Sequence, residues 1–455
     1  MGCIPQAFRL PHEGIAIYIF AVATTALLLF SIGSERPYWG LVLFAFLPIG
    51  LLKPIFLIPV FFISSLSSDF FEASQGVGFT RVFAFVIIAS VLLGILRNTK
   101  KVINKKWISN CIFIIVATLL SFLLAYDDDI EVLYSIVFNI LVFIAIVNLA
   151  FNKTQLEQVV RAIFFAVLIT TAYFAITVAI NPQFFLDTRL TIAQGVNENR
   201  FGMMLAQLAA YSLGYMYFSK ITYVKIVCFV AFLINIILVF LTGSRSALAG
   251  VLLGFSVSML ITLYHKKGIR SSLIPFVLVF AAAAAIFSIL VGSSPWLAQR
   301  MDIHEMILTQ KTEGNRGQRI AAEIENLIPD HPIFGVGPGA GNEKIGLDRY
   351  NTPDPGSSHN IIFSLLSQLG LVGFVAYTAL FAGIIKNLVF KLQSQRILII
   401  PLILILTAVF NGVGEMIYSE RFFWIALALA ALCLSTFANI GGLRPSKTSP
   451  STAIL

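Results

Sequence analysis

Polar residues in this chain come as short breaks between long apolar blocks. The apolar runs fall near 14–32, 38–52, 54–68, 79–97, 107–125, 130–150, 157–180, 200–219, 222–241, 244–264, 270–291, 360–386, 396–417 and 420–440. Many are close to the roughly 17–25 residues that span a bilayer, and they lack the two-residue alternation of a lipid-facing barrel strand. In lipid every backbone polar group must be paired within its own segment, so blocks of this kind are expected as helices. The second and third runs are short and are split by Lys53-Pro54. They read either as two spans or as a helical hairpin that does not fully cross. The expected fold is an all-α polytopic membrane protein, a bundle of 12–14 transmembrane helices.

One interruption differs from the rest. Residues 292–358 separate two apolar blocks by 67 residues and are expected as one large loop over the bundle. Inside it, GNRGQRIAAEIENLIPDHP reads as a short amphipathic helix. Asn315 can cap it with Gln318 three residues on, Ile320, Ile324, Leu327 and Ile328 share a face, and Pro329 with Pro332 ends it. The glycine-rich FGVGPGAGN that follows must turn sharply back toward the membrane. The organisation expected is N-terminal helices over 1–199, central helices over 200–291, the cap loop 292–358, C-terminal helices over 359–440 and a tail at 441–455.

Composition agrees with a membrane chain: 58% of residues are hydrophobic and 12% charged, against about 25% charged in a soluble domain. The net charge of +9 could suggest a nucleic-acid partner, but its distribution argues for topology instead. The connections 97–106, 151–161, 220–225, 265–270 and 386–396, with the tail after 441, hold seventeen Lys or Arg and one acid, Glu157. Cytoplasmic loops collect Lys and Arg, so these connections and both termini are expected inside. The 67-residue loop has six basic and nine acidic residues and is expected on the extracytoplasmic face. Residues 127–131, 181–199, the 242–244 turn and 412–420 join it there. Cys3, Cys111, Cys228 and Cys433 are scattered and are expected as free thiols, with no metal and no cofactor.

Four polar features collect on the outward side of this topology. Asn197-Glu198-Asn199-Arg200 and Gly243-Ser244-Arg245-Ser246 each open a span, Arg316 and Arg319 lie on one face of the cap helix, and His359-Asn360 opens the span after the cap. An arginine at a helix start adds a fork of donors to unpaired backbone amides, which suits an anion such as phosphate; the bland alternative is a side chain snorkelling to the interface. Around Arg245, one glycine and two hydroxyls would allow an anion close. Asn199, Arg200, Ser244 and Asn360 are the candidate substrate contacts. A neutral imidazole at His359 beside an arginine-bound diphosphate is a candidate general base for an incoming hydroxyl; a capping histidine is the alternative. Glu415 and Glu420 lie near the outer mouth beside Arg421. They suit a structural ion pair, the orientation of an arginine, or sugar hydroxyls.

The spacing His359-Asn360, nine residues, Gly370, two residues, Gly373 resembles the histidine motif of the bacterial O-antigen ligases. TGSRSALAG and HPIFGVGPG are similar to the shared core of the O-antigen ligase and Wzy-type polymerase superfamily, over roughly 197–373. The resemblance implies a metal-independent glycosyltransferase of the bacterial cytoplasmic (inner) membrane, active on its outer face. Its donor would be an undecaprenyl-diphosphate-linked glycan, and its acceptor a lipid A core, the next repeat unit or a protein serine. A flippase and a chain-length regulator are the implied neighbours. Residue by residue, Arg245 corresponds to the arginine for the lipid diphosphate, Arg316 or Arg319 to the cap arginine and His359 to the catalytic histidine, with Arg200 a further candidate. The cap helix departs from the family in having no Trp and two competing arginines. A transporter that exports lipid-linked glycan without chemistry is the rival class.

Overall fold

The computed structural model describes residues 12–33, 47–66, 79–96, 105–124, 129–149, 151–181, 190, 197–265, 270–293, 297–298, 320–321, 323–339 and 359–441. Among them there are α-helices and no strand. The helices of six residues or more are α1 His12–Gly33, α2 Leu47–Leu52, α3 Leu57–Leu66, α4 Phe79–Leu96, α5 Lys105–Leu123, α6 Ile130–Val147, α7 Lys153–Ile180, α8 Glu198–Phe218, α9 Thr222–Thr242, α10 Arg245–His265, α11 Arg270–Ser293, α12 Ile361–Leu392, α13 Ile399–Asn411 and α14 Arg421–Gly441. Among the described residues six helices, α5, α6, α7, α9, α10 and α12, are long and apolar enough to cross a membrane, and shorter apolar stretches lie in α1, α3, α4, α11, α13 and α14. The chain is a polytopic, all-α membrane protein. At Lys53-Pro54 the helix breaks as expected: the Lys53 amide still donates to Ile49, a 3₁₀ turn follows at Pro54–Phe56, and α3 starts afresh. The first part of that run, 38–46, lies outside the described residues.

Two kinds of helix surface build the bundle. The outer helices turn bare apolar side chains outward, as at Leu96, Ile226 and Phe390, which fits a lipid surface rather than water. The inner ones, α3, α8, α13 and α14, are buried along most of their length. Small residues let them in. On α8, Gly202, Ala206, Ala210 and Gly214 recur every four residues, and a side chain at Gly214 would press on the Ile400 backbone of α13. On α10, Gly250 and Gly254 lie against Asn411 and Thr407 of α13. Such rows bring helix backbones close where no hydrophobic effect drives association.

The packing sorts the connections onto two ends. Trp107 at the start of α5 meets Gly383 late in α12, while Ser121 at the end of α5 donates to the Gln368 carbonyl. Tyr211, late in α8, donates to Val160, early in α7. Lys105, Lys153, Lys220 and Arg396 therefore share one end of the bundle, and the heads of α6, α8, α10, α12 and α14 share the other.

Inside α12 the helix is interrupted at Gly370 (φ 65°, ψ −171°). The HPIFG stretch fills the interruption. Val336 and Gly337 donate to the carbonyls of Ser367 and Gln368, and Leu371 and Val372 donate to those of Pro332 and Ile333, all at 2.9–3.2 Å. Gly335, Gly337 and Gly339 have positive φ, and a side chain at Gly335 would overlap the Gln368 backbone. A helix break in lipid strands polar groups that must be paired by other protein; here one motif pairs those of the other.

The cap helix differs from its expected pattern. Ile320 and Ala321 are helical, Glu323–Leu327 is a π-helical turn, and the last turn ends at Asp330. The wider turn brings Glu323 and Leu327 inward and leaves Ile324 exposed, so the anticipated apolar face does not hold. Residues 311–319, with Arg316, Arg319 and the proposed Asn315 cap, lie outside the described residues.

Candidate active site

At the end opposite the basic connections, three helix heads and one loop meet. Asn197 caps α8, its Oδ1 accepting from the Asn199 and Arg200 amides. α9 ends on Gly243 in the left-handed region (φ 62°), and the Ser244 amide donates back to Thr242 Oγ1. Ser244 then starts α10, its hydroxyl 3.4 Å from the Ala247 amide and 3.3 Å from the Ser246 hydroxyl. This is the physical reading of TGSRS: glycine for the turn, serine for the start, and Arg245 as first helical residue. A side chain at Gly202 would come within 2.7 Å of Ser244 Cβ, which sets the heads of α8 and α10 side by side.

His359 stands just ahead of α12 with φ 51°, a left-handed backbone that histidine tolerates better than most residues. Asn360 caps the helix: its Oδ1 accepts from the Ile362 and Phe363 amides and its Nδ2 donates to the Val413 carbonyl. The Ile361 amide goes to the Gly412 carbonyl at 2.7 Å. The first amides of α12 are thus taken by the protein itself. Ser357 and Ser358 lie outside the described residues.

Residues 412–420, joining α13 to α14, tie these heads together. Glu415 Oε2 lies 2.8 Å from His359 Nδ1, and its Oε1 accepts from Asn199 Nδ2 at 3.1 Å. Glu420 pairs with Arg200 at 2.8 Å. Gly414 abuts Ser246, so close that a side chain there would overlap it, and Arg245 is the next residue. The carboxylates sit behind, 12% exposed for Glu415 and 16% for Glu420, while His359 at 38% and Arg200 at 46% reach forward. A carboxylate oxygen accepts, so Nδ1 is the donor in this contact.

The loop is itself braced. Ser135 and Asn139 of α6 both donate to the Ser419 carbonyl, and Trp424 Nε1 donates to that of Tyr418. The Tyr418 hydroxyl, whose pKa burial pushes up, stays a donor and hydrogen-bonds Gln368 Oε1, which also accepts from the Gly339 amide. The Gly370 break and the His359 head therefore share one scaffold.

Of the residues singled out in the sequence, His359, Asn360, Asn199, Arg200, Ser244 and Arg245 come to one end of the bundle. Glu415 is the partner that sequence reasoning did not assign. It is 56 residues from His359, and its one visible signal was being an acid at the mouth of an apolar chain. Among the described residues no three of His, Cys, Asp and Glu converge as metal ligands, and Cys111, Cys228 and Cys433 are free and buried.

Residues 230–378 match the family model described as O-antigen ligase. The teichuronic acid biosynthesis protein TuaE of Bacillus subtilis (strain 168) is 26% identical over 274 residues, covering 56% of this chain and 52% of the relative; the alignment thus spans about half the length of that protein. Arg245, His359, Asn360 and Gly370 lie inside the family match, whereas Asn199, Arg200, Glu415 and Glu420 lie outside it. The TGSRS turn and the His359–Gly370 spacing both lie inside the region, residues 230–378, that is similar to the O-antigen ligase family.

Proposed function

We propose that the chain is a membrane glycosyltransferase of surface-polysaccharide synthesis, moving a glycan from an undecaprenyl-diphosphate carrier to a sugar hydroxyl. The observation that carries this reading is the His359–Glu415 pair at the head of α12, one loop away from the arginine that opens α10. Glu415 holds the imidazole, Asn199 holds Glu415, and His359 Nε2 takes the proton of the acceptor hydroxyl. That oxygen attacks the anomeric carbon of the donor sugar as the bond to the diphosphate oxygen breaks, with inversion. The leaving diphosphate carries the electron pair away, and Arg245, with Arg316 or Arg319, offsets its charge. The active end faces outward, because the basic connections occupy the other end. The match of residues 230–378 to the O-antigen ligase family model and a relative named for teichuronic acid biosynthesis support the substrate class. Ligase and polymerase share this donor chemistry and differ in acceptor.

The test is transfer from purified lipid-linked donor by reconstituted protein, with donor binding measured in parallel. His359→Ala is expected to keep donor binding and lose transfer by about 10²–10⁴-fold, the usual share of general base catalysis. Arg245→Ala is expected to lose about 30- to 1000-fold, the scale of a lost charge-assisted contact to the leaving group. Donor binding with no transfer by the unaltered protein would instead favour an exporter.

A further inference from the structure

The site end of the bundle holds a pocket of about 390 Å³, lined by none of the residues that the proposed transfer uses. Arg81 from the first turn of α4, Glu131, Tyr134, Ser135 and Phe138 from the start of α6, and Arg421 at the head of α14 line it. We propose that this pocket is the acceptor subsite and that it holds an anionic group of the acceptor glycan, a sugar carboxylate or phosphate. The proposal rests on the transferase reading, since a transferase must hold a second substrate beside the donor.

Two guanidinium groups from separate helices face one concave space, and the planar fork of arginine matches carboxylate and phosphate oxygens. Arg81 lies over the Tyr134 ring, 6.0 Å from its centroid, and Tyr134 stacks on Phe138 at 5.7 Å and 19°. Stacking on the ring sets the plane of the guanidinium at the pocket wall. Tyr134 is 47% exposed, offering ring surface to a sugar.

Position supplies the second argument. Ser135 lines the pocket, and its hydroxyl donates to the Ser419 carbonyl, as does Asn139 one turn on. Ser419 belongs to the loop whose Glu415 and Glu420 meet His359 and Arg200. The pocket and the His359 site are therefore two sides of one loop. A glycan anchored by its acidic group in the pocket would extend past that loop toward His359. Glu131 at the rim opposes an anion and limits how tightly it is held.

The test uses purified full-length protein in neutral detergent, with oligogalacturonate as the acidic probe and its carboxyl-reduced form as the neutral one. The acidic probe is expected to bind at least about tenfold more tightly, and Arg81→Gln to abolish most of that preference. Glu131→Gln is expected to tighten the acidic probe several-fold, a gain that a damaged fold cannot produce. In transfer assays Arg81→Gln should raise KM for an acidic acceptor and leave KM for donor unchanged. Equal binding of the two probes, or indifference to both substitutions, overturns the proposal. Competition by phosphatidylglycerol but not phosphatidylcholine nanodiscs would assign the arginines to a lipid headgroup and overturn it as well. If the unaltered protein transfers nothing yet binds the acidic probe through Arg81, the transferase reading fails and the acceptor role with it, while the anion pocket stands.

Discussion

α12 leaves regular helical geometry twice, at its head and at Gly370, and the two departures are handled differently. At Gly370 every polar group named in the break is paired by protein: two carbonyls accept from Val336 and Gly337, and two amides donate to Pro332 and Ile333. Glycine carries the conformation, in a region of φ and ψ that other residues essentially do not enter. At the head, a histidine carries the left-handed backbone, and its ring is held by a carboxylate while reaching forward. A distortion that serves packing is filled and given to glycine. One that presents chemistry keeps its side chain and bears the strain.

That contrast can be broken most severely at Gly370. Gly370→Ala would place a Cβ on the Ile333 carbonyl in a backbone that alanine resists, at a cost of about 4 kcal/mol or more. The expected outcome is loss of the folded protein, read as failure to recover a monodisperse species in detergent; a well-folded variant would show that the loop and the helix break are not coupled. The head should behave oppositely. Glu415→Gln is expected to leave folding and donor KM intact and to lower kcat on the order of 10–100-fold, the scale of a hydrogen bond to a charged group. Combined with His359→Ala it should add little, because the two act as one unit; additive losses in the double variant would separate Glu415 from the histidine. The gentlest probe is Ser121→Ala, which removes the donor to the Gln368 carbonyl inside the break. It should lower stability by about 1 kcal/mol, seen as a small drop in Tm with transfer unchanged.

Sequence reasoning reached the heads of α8, α10 and α12 because helix starts in an apolar chain announce themselves. A serine after a glycine, an asparagine before a run of leucines or an isolated arginine has few places to go. It missed the pairing of Glu415 with His359 and assigned Asn360 to substrate contact without its place at the cap. Several residues near each helix start could serve as caps, and only the backbone decides which one does. The apolar face assigned to the cap helix assumed a regular 3.6-residue period, which the π-turn at Glu323–Leu327 breaks.

The blocks of apolar residues by themselves determined that this is a bundle of helices in a membrane, since lipid leaves the backbone no other way to pair its polar groups over such lengths. The charge of the short connections by itself predicted which of them share an end. What only the tertiary structure decided is which distant segments complete one another: HPIFG filling the break at Gly370, and Glu415 reaching His359. Local propensity ends within a few residues, whereas these contacts are made only when α12 has packed with the stretch that precedes it and with the loop that follows α13.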